Sequence, residues 1–123
     1  MTHRLRPRDR RTLVTFDFRF DNHGFTIGIG RDLINAQTGE VGPVNEMFLK
    51  AEKVDSMADA LASDVAILIS LLLQYRCPAA TIAAALKRDA AGVPATLVGF
   101  VADLVQAASQ EVPSPRMDLK PSN

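Results

Sequence analysis

Tryptophan is absent from this sequence, and tyrosine, cysteine and histidine are nearly absent, with one, one and two residues. A lone cysteine, Cys77, excludes an internal disulfide. With only His3 and His23 beside it, a four-ligand zinc site lacks donors, so neither a metal nor a cofactor is expected. Net charge is also missing: 14 basic residues balance 14 acidic ones, so the whole molecule has no bias toward nucleic acid or an acidic membrane. No apolar run reaches membrane length. The longest, Val65 to Leu73, is interrupted by Ser70 and is about half of the ~20 residues a spanning helix needs. The opening Met1-Thr2-His3-Arg4-Leu5-Arg6-Pro7-Arg8 lacks the apolar core of a secretory signal. A cytoplasmic, membrane-free protein is the expectation.

What remains is ordinary globular composition, 47% hydrophobic and 23% charged, in 123 residues. A chain of this size forms one domain and buries roughly two-thirds of its unfolded surface. Residues 1–11 carry five arginines (Arg4, Arg6, Arg8, Arg10, Arg11) against Asp9, with Pro7 opposing a helix, and read as a basic arm. Residues 12–109 hold the periodic segments. The tail over 110–123, with Pro113, Pro115 and Pro121, is expected to be disordered.

From Leu13 the pattern alternates strictly. Val14, Phe16, Phe18 and Phe20 fall on one face and Thr15, Asp17, Arg19 and Asp21 on the other, which is a half-buried strand. Asp21-Asn22-His23-Gly24 is a turn signal, with Gly24 suited to positive φ, and Phe25, Ile27 and Ile29 resume the alternation. Residues 31–43 read as a looser connection with a turn at Thr38-Gly39-Glu40 and a break at Gly42-Pro43. Val44 to Lys50 reads as a third strand of an antiparallel meander.

Ser56, with Asp59 three residues on, resembles a capping box with Asp in place of Glu or Gln. Beyond it Met57, Leu61, Val65, Leu68 and Leu72 make a helical stripe. Ala58, Ala62, Ile69 and Leu73 widen it, and Ile67 and Leu71 carry it further round. A helix so apolar needs burial on two sides, by the sheet and by the later helices or a second subunit. Pro78 ends it and opens a second helix, expected over Ala79 to Arg88. Ala91-Gly92 breaks that one. Pro94 opens a third helix to about Ser109, with Leu97, Val98, Val101, Leu104 and Val105 inward. The fold class is therefore α+β: a three-stranded antiparallel meander, then a long buried helix and two shorter ones.

Chemistry-bearing signals are sparse. Gly28-Ile29-Gly30 lacks the third glycine and the following helix of a dinucleotide fingerprint, so it reads as a strand approached closely by a neighbour. Cys77, between Arg76 and Pro78 at a helix entry, has the setting of a reactive thiol but no base placed by sequence to activate it. Asp17 and Asp21 flank Arg19 on one strand face, a pattern that reads as a solvated face and not as a general acid–base pair. The arginine arm is the strongest binding signal, since clustered arginines can contact phosphates; charged termini are also common without that role.

The Arg-rich opening leads into Thr15-Phe16-Asp17-Phe18-Arg19-Phe20, then Phe25-Thr26-Ile27-Gly28-Ile29-Gly30-Arg31 and Asn45-Glu46-Met47-Phe48-Leu49. These are followed by Asp59 through Leu71, Gln74-Tyr75-Arg76-Cys77-Pro78, Thr81-Ile82 and Ala85-Leu86. In order and spacing, over about residues 8 to 106, this resembles the TSCPD domain, found at the C-terminal end of adenosylcobalamin-dependent ribonucleotide reductases and in short stand-alone bacterial proteins. The Thr-Ser-Cys-Pro-Asp string that names the family is absent, with Cys77-Pro78 echoing part of it at a different place. The reductase barrel, its radical-generating cysteine and its redox cysteine pair are also missing. The resemblance therefore implies a non-catalytic accessory domain that docks on a protein partner, such as a ribonucleotide reductase subunit, or on its own copy as a homodimer. Arg8, Arg10, Arg11, Arg19 and Arg31 are the candidate contact residues. Two alternatives stand beside it: a nucleic-acid or polyanion module using the arm, and a reductase component acting with a separate catalytic subunit.

Overall fold

In a computed structural model of the chain, which describes residues 3–111, three antiparallel strands are followed by three helices. The strands are β1 (Arg11–Phe20), β2 (His23–Asn35) and β3 (Glu40–Ala51), in spatial order β1-β2-β3. The helices are α1 (Met57–Gln74), α2 (Ala79–Ala85) and α3 (Leu97–Gln110). The α+β meander expected from the sequence is the observed architecture. The expected tail lies, from residue 112, outside the described residues.

β1 and β2 join through a two-residue turn whose central residues, Asp21 and Asn22, have φ of 50° and 68°. Two left-handed residues match the right-handed twist of the flanking strands, and Asp and Asn tolerate that conformation. Gly24, expected at positive φ, is instead extended within β2, where a Cβ would lie 2.9 Å from Glu52 Oε1. The segment 31–43 is also more ordered than its composition suggested. β2 runs on to Asn35 and β3 starts at Glu40, with register shifts at Gly30/Arg31, Arg31/Leu33 and Leu33/Asn35. These bulges bend the hairpin, and the Asn35 side chain closes its tip by accepting the backbone N–H groups of Gln37 (2.9 Å) and Thr38 (3.3 Å).

The buried core gathers on one face of the sheet. Phe25, Ile27 and Ile29 of β2 and Met47, Leu49 and Ala51 of β3 meet Ala62, Ala66 and Ile69 of α1, Ile82 of α2, and Val101, Ala102 and Val105 of α3. β1 contributes less. Phe18 stacks on Phe25, and Phe18 and Phe20 both lie against Phe100 of α3 at centroid distances of 5.2 and 5.6 Å. Val14 and Phe16 share that face but stay exposed, because α3 reaches only the Phe18–Phe20 end.

Helix ends follow local chemistry. Ser56 Oγ accepts the Asp59 N–H at 3.1 Å, so the expected N-cap is made. Asp59 does not return to the Ser56 amide, as a capping-box Glu would. Its carboxylate accepts from Ala51 N (3.0 Å) and Asp55 N (3.3 Å). α1 closes in a Schellman arrangement, with Cys77 N bonded to Leu72 O and Arg76 N to Leu73 O, both at 2.9 Å. Arg76 there has φ of 68°, the conformation glycine adopts most easily.

α2 ends at Ala85, short of the expected Arg88, because Asp89 Oδ1 accepts the N–H groups of Ala91 (2.8 Å) and Val93 (2.9 Å) and turns the chain back. The Arg88 guanidinium bonds Asp103 of α3, and that hydrogen bond raises its pKa further above an already basic value. α3 starts at Leu97 and not at Pro94, since Pro94 bridges to Arg88 and Thr96 Oγ1 caps the helix through Gly99 N at 3.1 Å.

Candidate functional site

The arginine arm is folded onto the domain. Leu5 N donates to Gln74 O at 2.7 Å and Arg4 Nε to Gln74 Oε1 at 2.6 Å, which ties the arm to the end of α1. Arg8 N donates to Asp32 Oδ1 at 2.8 Å, while its largely exposed guanidinium stands 3.9 Å from Asp32 Oδ2. Arg10 O accepts Leu33 N at 3.0 Å and its side chain is exposed. Arg11 donates to Arg8 O at 2.6 Å and pairs with Glu46 at 3.0 and 3.2 Å.

That last pair explains one glycine. Arg11 stands on β1 and Glu46 on β3, so their contact crosses the central strand at Gly30. A Cβ on Gly30 would lie 2.8 Å from Glu46 Cγ and 3.0 Å from its Oε2. Gly28, two residues earlier on the same face, leaves room for Leu13 and Thr15, whose methyl groups would stand 3.2 and 3.3 Å from a Cβ there. The close neighbours expected around Gly28-Ile29-Gly30 are thus side chains of the flanking strands.

The other candidate arginines lie elsewhere. Arg19 is at the hairpin end of β1, eight residues and roughly 27 Å along the strand from Arg11, and donates to Asn22 O at 2.6 Å. Arg31 clamps two elements: Nη1 donates to Gly42 O at 3.0 Å and Nη2 to Ala108 O at 2.6 Å, near the C-terminus of α3, where helix carbonyls favour a cation. Partial burial lowers the Arg31 pKa, and the charge of Glu111 opposes that shift. The structure brings Arg8 and Arg11 together with Asp32 and Glu46, and does not gather the five arginines into one patch.

Cys77 sits half-buried in the α1–α2 turn, packed against the core, and its thiol stands 3.9 Å from the Pro78 carbonyl. It lines a cleft of about 490 Å³ with Leu5, Asp32, Asn45, Gln74 and Arg76. Asn45 Oδ1 is buried there without a hydrogen-bond donor among the described residues. His23 bonds the Asp21 carbonyl at the far hairpin, so it does not serve Cys77. No three His, Cys, Asp or Glu side chains among the described residues gather closely enough to hold a metal ion.

The most developed surface belongs to α1. One side of the helix lies along the outer edge of β3 and satisfies its unpaired backbone. Asp59 takes the Ala51 N–H, Ser70 Oγ accepts Met47 N–H (2.9 Å) and donates to Met47 O (3.1 Å), and Gln74 Nε2 donates to Asn45 O (3.1 Å). These residues recur at helical spacing with the buried Ala62 and Ala66 between them, and small side chains let helix and strand approach closely. The other side is uncovered. Met57 is 79% exposed, Leu68 61% and Leu61 57%, with Ile67, Leu72 and Tyr75 also exposed. The stripe named first from periodicity thus faces outward apart from half-buried Val65, and the positions that widened it form the buried side. By length and composition α1 would also suffice to cross a membrane, but its buried side is bonded to β3 as a domain helix. The periodicity left open which side packs; the polar residues Asp59, Ser70 and Gln74 were the available signal. Comparison of the chain with protein-family models, curated proteins and solved structures gave no match.

Proposed function

We propose that this chain is a non-catalytic docking domain acting in the cytoplasm through a protein partner, as its resemblance to the C-terminal TSCPD domain of ribonucleotide reductases implies. The observation that carries the proposal is the outward half of α1: apolar side chains over the length of a helix whose opposite half is fixed to the sheet. A contiguous apolar surface of this kind marks an interaction site. Reductase subunits are the partner class the resemblance points to.

The arm favours a second reading less. Arg11, Arg19 and Arg31 hold their own chain through their guanidinium groups, whereas Arg6 and Arg10 are exposed and available to a polyanion. A pull-down from native cytosol at low and high salt, with the wild type and a Leu61→Lys/Leu68→Lys variant, separates the two. Docking predicts a salt-resistant nucleotide-metabolism enzyme, lost in the variant. Salt-labile nucleic acid retained by both proteins would instead assign function to the arm. If the captured enzyme is a separate reductase catalytic subunit, its turnover with and without this chain tests the component alternative.

A further inference from the structure

We infer that the outward face of α1 pairs with the same face of a second copy of this chain, as an antiparallel helix pair about a two-fold axis. This rests on the reading of that face as a docking surface and makes the second copy its occupant in place of a reductase subunit.

Size is the first consideration. The exposed parts of Met57, Leu61, Ile67, Leu68, Leu72 and Tyr75 amount to roughly three to four whole side chains. At ~150–200 Å² for a large side chain this is on the order of 500–700 Å². It lies at or above the largest apolar patch of an ordinary monomer, ~300–600 Å², and near the ~800 Å² that each partner contributes to a stable interface. A straight stripe along an 18-residue helix, about 27 Å long, is self-complementary in shape when a second copy is laid against it.

Charge selects the direction. Asp64, the one charged side chain in the middle of the outward face, approaches its own copy in either direction and opposes both pairings alike, so the charges at the two ends of the helix decide between them. Asp55 lies just before the N-terminus and Arg76 just after the C-terminus, both exposed, and neither has a salt-bridge partner among the described residues. Antiparallel pairing sets Asp55 of each copy near Arg76 of the other, twice over, and opposes the two helix dipoles favourably. Parallel pairing would set like charges together. Both positions are left-handed, with φ of 57° at Asp55 and 68° at Arg76. The Cβ of a residue such as Arg is disfavoured in that conformation, and strain of this kind is often retained where it serves a contact. The chain's formal net charge of zero adds no repulsion between copies.

Sedimentation velocity of the full chain at micromolar concentrations should give the dimer mass. Leu68→Lys, at an exposed position, should keep the circular dichroism spectrum and Tm of the monomer while weakening dimerisation by roughly 100-fold. Orientation follows from mixing Cys77→Ser/Met57→Cys chains with Cys77→Ser/Tyr75→Cys chains under mild oxidation. A mixed disulfide between the two chains supports the antiparallel pair; disulfides within each kind alone would overturn it. A wild type that stays monomeric at ~100 µM overturns self-pairing, and monomers that float with phosphatidylcholine vesicles would assign the face to a lipid surface. In the monomeric outcome the docking reading still stands if Leu61→Lys/Leu68→Lys abolishes capture of one defined enzyme. It falls as well if capture is unchanged.

Discussion

Replacing Ser70 by Ala removes a single hydroxyl from α1 and tests how that helix is held. Ser70 Oγ accepts the Met47 N–H at 2.9 Å and donates to the Met47 carbonyl at 3.1 Å, so one atom satisfies two outward-facing backbone groups of β3. Met47 is 2% exposed, and alanine would leave both groups without a partner. An unsatisfied buried polar group costs about 1–3 kcal/mol. Two effects reduce the total. The groove between Phe48 and Ile67, beside Ser70, can admit water to one of the groups, and alanine is the better helix former by about 0.5 kcal/mol. The net expectation is a loss of about 2 kcal/mol, or about 8 °C in Tm for a domain near 100 residues. Urea unfolding followed by circular dichroism measures it. Ser63→Ala, an exposed serine on the same helix without these bonds, isolates the propensity gain and should be neutral or slightly stabilising. Hydrogen exchange at the Met47 amide should accelerate in Ser70→Ala alone. A Ser70→Ala protein within about 0.5 kcal/mol of wild type would show that apolar packing, and not edge satisfaction, fixes α1 on β3.

Gly30→Ala should destabilise by about 1–3 kcal/mol in urea melts, because its Cβ displaces the Glu46 side chain that reaches Arg11. Adding Glu46→Ala should recover part of that loss by removing the clash. Phe100→Ala should cost about 2–4 kcal/mol by thermal unfolding, since Phe100 is the contact of α3 with both Phe18 and Phe20. Arg31→Ala should loosen the end of α3, seen as faster hydrogen exchange in Val105–Gln110 and a loss of about 1–2 kcal/mol in global stability. Arg76→Gly should move two readouts in opposite directions, raising monomer stability by about 1 kcal/mol while raising the dimer dissociation constant.

The strands were readable because alternation is a strong constraint. Val14, Phe16, Phe18 and Phe20 do share the face of Ile27, Ile29 and Leu49, as a period of two demands. How deeply each is buried was not readable, since that depends on how far α3 reaches over β1, and Phe100 covers only Phe18 and Phe20. The bulged hairpin over 31–43 was hidden because Gly39, Gly42 and Pro43 resemble loop punctuation. The Asn35 side chain accepts from Gln37 and Thr38 in a local turn, but Arg31 holds the segment through Gly42, eleven residues on, and that contact has no local signature. The arm was legible as charge but not as structure, because its partners, Asp32, Glu46 and Gln74, are remote in sequence.

α1 shows why the candidate site was the least legible part. Hydrophobic periodicity identifies a packing face only when the opposite face is polar, and Met57–Gln74 is apolar nearly all round. The choice of face then falls to the few polar side chains. A sheet edge presents backbone N–H and C=O groups, and a helix that seals it must offer donors and acceptors at matching rise, which Asp59, Ser70 and Gln74 do. Turning the larger leucines inward would turn these three toward solvent and leave the β3 edge without partners. The small, polar-bearing side therefore packs against the sheet and the larger leucines are displaced outward. Covering one free strand edge thus leaves the apolar surface that is assigned here to the second copy.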